Sequence, residues 1–168
     1  PVTVAGRTWT CLVAGEGPLR RELGVLAGEL GLGDRVRWLG WQNQPGPYFA
    51  LADVLVCPSL HEPLGNVILE AWSYGLAVLS TTTDGALELI HQGLDGFLSE
   101  SMEPEAIRRR LTDLLEMPEE RRRALGAAGR RSVQQHHGQS AVLGAYRDLY
   151  RTLAQDLGRC QQQEHRQA

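Results

Sequence analysis

Val54-Leu55-Val56-Cys57-Pro58-Ser59-Leu60-His61-Glu62-Pro63-Leu64-Gly65-Asn66-Val67-Ile68-Leu69-Glu70-Ala71-Trp72-Ser73-Tyr74-Gly75 is the stretch on which the reading of this chain turns. Its order is strand, turn, helix. The apolar run 54–57 is short, rich in β-branched residues and stopped by Pro58, as expected of a strand buried on both faces of a parallel sheet. Pro63 and Gly65 then forbid regular structure. From Val67 the pattern changes to Val67, Ile68, Ala71 and Trp72 at helical spacing, closed by Gly75 in the position of a C-cap. A helix therefore begins at the Gly65-Asn66 pair. Its first amides have no intrahelical partners and its dipole end is positive, so the loop suits a phosphate or another anion. Glu62 stands in the loop and Glu70 one turn inside the helix. Both carboxylates can face a ligand lying over the helix N-terminus.

Outward from this stretch, the chain alternates strand and helix through short connections. Residues 8–14 read as a strand, Gly15-Glu16-Gly17-Pro18 as a turn, and 19–30 as an amphipathic helix using Leu19, Leu23, Leu26, Ala27 and Leu30. A strand at 36–39 opens into a polar loop containing Trp41 and Gln42, followed by a short helix at 48–52. After the motif helix come a strand at 77–80, a loop at Asp84-Gly85, a helix at 86–91 and a last short strand at 96–98. The fold class is α/β, a Rossmann-like parallel sheet covered by helices on both faces. Beyond Ser101 the pattern is helical only: 104–115 opened by Pro104, 118–135 opened by Pro118, and 139–157, whose stripe is Val142, Leu143, Tyr146, Leu149, Tyr150 and Leu153. The Gln-rich end after Arg159 is expected to fray. Residues 1–101 are expected to form the Rossmann-like core, and 102–168 helices packing on the same domain.

The spacing of Glu62 and Glu70, with seven residues between them around Pro63-Leu64-Gly65-Asn66, resembles the E-x(7)-E motif of the retaining GT-B-fold glycosyltransferases, family four. Four further segments fall in that family's order: Val13 through Pro18, Val36 through Gly40, Ala52-Asp53 through Pro58-Ser59, and Asp84-Gly85 through Leu98. The wording His-Glu-Pro-Leu-Gly-Asn-Val is most similar to bacterial members that build lipopolysaccharide or other surface glycans. The resemblance implies a donor-binding half, with the sugar nucleotide across the carboxyl ends of the strands, where ligands of open α/β sheets bind. It gives Glu62 the hydroxyls of the transferred sugar and Glu70 those of the ribose. Pro63, Leu64, Gly65, Asn66 and Val67 would line the donor, their amides meeting the sugar and diphosphate. Gly85 would lie near the donor phosphate or sugar. Gly15 and Gly17 would admit a phosphate, or simply form a tight strand-to-helix turn. Arg37, Trp41 and Gln42 border the crevice where the family's base-binding loop lies.

Composition narrows the alternatives. With 168 residues and 42% apolar content, one compact domain is expected, and no apolar run approaches the roughly 20 residues of a membrane span. The mean hydropathy is -0.26. The absence of a signal-peptide pattern and of an initiator Met suggests an excised, non-exported fragment. Cys11, Cys57 and Cys160 have neither disulfide nor metal spacing, which fits the cytoplasm. The net charge of -3 argues against nucleic acid as a partner. Arg20 stands where a G-x-G-x-x-G fingerprint needs its third glycine, which disfavours NAD. No Asp-x-Asp occurs, so no metal and no cofactor are expected, the nucleotide sugar being the donor substrate. His61 and the His136-His137 pair read as surface and helix-end residues, and Glu88 as readily a helix cap as a ligand contact. The arginine runs 108–110 and 121–123 read as solvated faces, or as a peripheral contact with a membrane.

All 17 basic residues are arginine. Members of the family place an Arg and a Lys on the leaving diphosphate, from a strand and helix preceding the Gly-x-Gly-Pro strand, and only seven residues stand there here. That strand would lie between those at 8–14 and 54–57. The fragment alone is therefore expected to be inactive, with a glycan or lipid-linked acceptor held by an N-terminal domain outside it. The alternatives are a catalytically inactive binding or interaction module, or a GT-B epimerase or phosphorylase relative, the latter disfavoured because a phosphorylase needs a cofactor-holding lysine.

Overall fold

The computed structural model describes residues 3–4 and 6–167, with side chains through residue 155. The elements are β1 (Thr3–Val4), β2 (Arg7–Thr8), β3 (Cys11–Ala14), α1 (Arg20–Glu29), β4 (Val36–Gly40), α2 (Gly46–Leu51), β5 (Val54–Cys57), α3 (Asn66–Ser73), β6 (Ala77–Ser80), α4 (Asp84–Leu89), β7 (Phe97–Leu98), α5 (Pro104–Glu116), α6 (Glu119–Ser132) and α7 (Gln139–Gln167). A π-helical segment, Val133–His137, joins α6 to α7.

The parallel strands form two ladders. One is β3 with β4, and the other is β5-β6-β7, with no ladder joining them among the described residues. In the larger ladder the two-residue period sends alternate side chains to opposite faces, and both faces are apolar. Val78 of β6 and Leu55 of β5 meet Ile68, Ala71 and Trp72 of α3 and Ala86, Leu89 and Ile90 around α4. Ala77 and Leu79, with Val54 and Val56, meet Leu114 of α5 and Leu125 of α6 on the other side. Helix α3 ends as its sequence dictates: Gly75 turns with φ +75°, its N–H donating to the Trp72 carbonyl. Trp72 is 0% exposed, and its indole N–H donates to the Asp95 carbonyl at 3.0 Å. Helix α6 crosses α3 and β6 on bare backbone, for a side chain at Gly129 would overlap the Trp72 indole and one at Gly126 the Gly75 carbonyl.

The residues 8–14 expected as one strand are divided. Arg7–Thr8 pairs antiparallel with Thr3–Val4, and the chain enters the parallel ladder only at Cys11. Arg7 reaches Glu119, and the Arg122 guanidinium lies over the Trp9 ring, so the hairpin is held on α6 instead of extending β3. The arginine runs lie on solvated faces as expected, except that Arg110 is half-buried and Arg122 is buried. Arg122 is 4% exposed and caps the α5 C-terminus by donating to the Leu115 and Met117 carbonyls. Arg108 pairs with Glu105, Arg109 and Arg110 with Glu100, and Arg123 with Glu119. The leucines of the amphipathic α1 and the apolar stripe of α7 from Val142 to Leu153 are exposed, with Ala27 the buried residue of α1. The last helix runs to Gln167, past the expected end at 157. The side chain of Cys160 and those of the Gln-rich end lie outside the described residues.

Candidate functional site

Helix α3 starts at the carboxyl end of β5, after a loop that residue type alone explains. Gly65 is the N-cap with φ +67°, a left-handed conformation that costs a residue with a Cβ roughly 1 kcal/mol or more. No N-cap side chain is available there, and Glu62 supplies the missing acceptor: its Oε1 receives the Gly65 N–H at 3.2 Å. The half-buried Glu62 carboxylate is thereby held at the positive end of α3, beside the first-turn amides of Asn66 and Val67. The carbonyl of Glu62 accepts the Gly85 N–H at 3.0 Å, tying the loop to α4. Gly85 is buried under residues 62–65, while Pro63, Leu64 and Asn66 are exposed. Asp84 and Glu88 are exposed on α4, whose N-cap Thr83 makes no side-chain cap.

Glu70 is exposed one turn further along α3. It lines a shallow cavity of about 380 Å³ with Tyr74 of the same helix and with Gln44, Pro45, Gly46, Pro47 and Phe49 from the loop after β4 and from α2. Phe49 stacks on Tyr74 with ring centroids 5.6 Å apart, which fixes α2 against α3 and forms the cavity wall. Glu70 has no ion-pair partner among the described residues, so its acceptors face solvent. A carboxylate so placed can accept from two vicinal hydroxyls at once.

The loop after β4 is shaped by its own side chains. The Gln42 amide donates back to the Leu39 carbonyl at 2.6 Å, and the Trp41 indole N–H donates to Asn43 Oδ1 at 2.7 Å. The Trp41 ring stands 71% exposed, a flat surface on which an aromatic ligand could stack. Arg37 is placed differently from the crevice border expected of it: it is the second residue of β4, paired with Leu12, and three residues short of the carboxyl end. Gly15 and Gly17 line a second shallow cavity, about 420 Å³, with Glu16, Arg20 and Gly40. The Gly15 N–H donates to the Gly40 carbonyl at 2.8 Å, and the Arg20 guanidinium lies 4.0 Å from the Trp38 ring centroid. The amide of Gly15 is thus engaged with the neighbouring strand end.

Two contributions were not read from the sequence. Gln44 through Pro47 approach Glu70, a contact between segments more than 20 residues apart that no local pattern announces. Thr81 is buried at the end of β6 and its hydroxyl donates to the Ser59 carbonyl at 2.5 Å, fastening the start of the motif loop. No group of three or more metal-ligating side chains occurs among the described residues, nor any helix long and apolar enough to cross a membrane.

The fold and the paired acids at one helix start define an α/β domain of the GT-B kind. The profile of the family described as Glycosyl transferases group 1 matches residues 5–132, and the chain belongs to that family. It is 36% identical over 135 residues to the lipopolysaccharide core biosynthesis glycosyltransferase LpsE of Rhizobium meliloti (strain 1021), covering 80% of this chain and 39% of that one. Among solved structures, the sucrose-phosphate synthase (tll1590) of Thermosynechococcus elongatus superposes with a TM-score of 0.76 at 28% identity, over 86% of this chain and 38% of that one. The C-terminal domain of a glycosyl transferase group 1 family protein (LpcC) from Francisella tularensis gives 0.70 at 25% identity, over 78% and 71%. The chain spans about two-fifths of the length of LpsE.

Proposed function

We propose that this chain is the donor-binding part of a retaining glycosyltransferase that moves a sugar from a nucleotide sugar to a glycan or lipid-linked acceptor. One observation carries the reading: Glu62 and Glu70 flank the free end of a single helix, the first beside its unbonded amides and the second in an open cleft. In this reading Glu70 accepts from the ribose hydroxyls and Trp41 stacks on the base. The diphosphate meets the amides of Asn66 and Val67, where leaving-group charge is stabilised. Glu62 accepts from hydroxyls of the sugar and offsets positive charge as the sugar–phosphate bond breaks. Gly15 and Gly17 form the far rim of the crevice. The likeness to LpsE, named for lipopolysaccharide core biosynthesis, favours a surface-glycan acceptor; a cytoplasmic site of action, with any membrane contact made through that acceptor, fits three cysteines without disulfide spacing.

The 168 residues by themselves contain no lysine to neutralise the diphosphate, so the proposal assigns them binding without efficient transfer. Calorimetry with UDP-, GDP- and ADP-glucose tests it. One of the three should bind, and Glu70→Gln should weaken that binding about tenfold, the loss of one or two hydrogen bonds to a charged acceptor. If none of the three binds, the inactive-module alternative stands and the donor reading falls. Robust turnover by these residues alone would remove the claim that they only bind.

A further inference from the structure

We infer that Gly85 is a positioning residue which sets where Glu62 and the first amides of α3 stand, and that it does so through the bare face of its Cα, without touching a ligand. The inference rests on the donor reading for its functional consequence, though the geometry is independent of it. A Cβ at position 85 would come within 2.6 Å of the Gly65 nitrogen, 2.6 Å of the Leu64 carbonyl carbon and 2.9 Å of the Glu62 carbonyl oxygen. All three are backbone atoms of the motif loop, so no rotamer change relieves the overlap. Residue 85 needs no glycine for its own conformation, since it lies in the first turn of α4 without a positive φ. The requirement comes from the loop.

The contact is also bonded and two-sided. The Gly85 N–H, one of the first-turn amides that α4 cannot use internally, donates to the Glu62 carbonyl at 3.0 Å. From the other side, Gly65 is pressed toward Leu89 and Ile68: a Cβ on it would lie 2.8 Å from Leu89 Cδ1 and 3.3 Å from Ile68 Cδ1. The turn from Glu62 to Gly65 is therefore seated on α4 through Gly85 and Leu89, and the carboxylate of Glu62 inherits its place from that seat. Ordinary contact begins near 3.4 Å, so a methyl group at position 85 displaces the loop by roughly 1 Å, a misplacement of the size that can cost about 10²-fold at a reacting centre.

The test uses Gly85→Ala in the full chain with two readouts. Amide hydrogen exchange at Gly65 should speed at least tenfold, because its bond to Glu62 Oε1 is lost, while the amides of Val78 and Leu79 in β6 keep their protection. Unchanged exchange at Gly65 overturns the inference whether or not any nucleotide binds. Calorimetry with the glucose nucleotide that the wild type prefers should show a loss of 10- to 100-fold, whereas the matching nucleoside monophosphate, held from the Glu70 side, should change less than about twofold. Equal losses for both would reduce Gly85 to a general structural role and overturn the positioning claim. Should Gly85→Ala fail to fold, Leu89→Val loosens the same seat without inserting an atom. It should speed Gly65 exchange a few-fold and weaken the nucleotide sugar more than the monophosphate, and no change in either would also overturn the claim. A wild type that binds none of the nucleotide sugars sinks the donor reading alone, leaving the exchange measurement to decide this one.

Discussion

The β5-β6-β7 half and the β3-β4 half are built from similar strand-helix sequence, yet only the first has a sealed interior. Ile68, Trp72, Val78 and Leu114 are 0% exposed, whereas Leu12, Leu23 and Leu26 stand 41–47% exposed on β3 and α1. The difference lies in the second layer. Strand β6 has neighbours on both edges and helices on both faces, while among the described residues β3 has one ladder partner and no ladder joins it to β5. Apolar patterning states which face asks for cover, and only the rest of the fold decides whether cover arrives.

The sharpest way to test that contrast is a truncation in each half. Trp72→Ala should cost about 3–5 kcal/mol and leave the Asp95 carbonyl without its donor, whereas Leu26→Ala should change stability by no more than about 0.5 kcal/mol. Urea unfolding followed by circular dichroism measures both, and comparable losses would erase the distinction. Next in size, Asp95→Ala removes the acceptor of the His91 backbone N–H at 2.8 Å and the partner of its imidazole at 3.1 Å, in the turn that leads into β7. An expected loss of about 1–3 kcal/mol would show that the sealed half depends on its buried turn. Arg122→Ala strips the α5 C-terminus of its donor and releases Trp9, so a loss of similar sign but at the lower end of that range is expected from the same melt.

The smallest effect belongs to the rim. The Arg108 hydrogen bond holds Glu105 below its ordinary range, and the pair is fully exposed. Its stabilisation is therefore present at neutral pH and fades as pH falls through that lowered value. An NMR titration should find Glu105 protonating below a typical glutamate, and about 1 M salt, where the screening length is about 3 Å, should move it back up.

Much of this was legible in the chain. Pro58, Gly65 and Gly75 punctuate the motif so strongly that β5 falls on the expected residues and α3 within a residue of them at each end. The pairing of an acid with a helix start was equally readable, because Glu62 is three residues from the amide it caps. What stayed hidden depends on distance in sequence. Arg122 looks like surface charge until α5 and Trp9 close over it, and residues 8–14 look continuous until Arg7 finds Glu119. Gly85 looks like a loop breaker or a ligand contact, and the approach of residues 62–65, which leaves no room for a Cβ there, is not visible in the chain.

The seam where α6 meets α3 carries a practical consequence. Because Gly129 leaves no buffer between that helix and the Trp72 indole, bulk added there pushes directly on the rod that bears Glu70 two residues earlier. Crowding at the rear of the domain would thus be passed through the buried indole to the exposed front of α3, with no side chain of the candidate site altered.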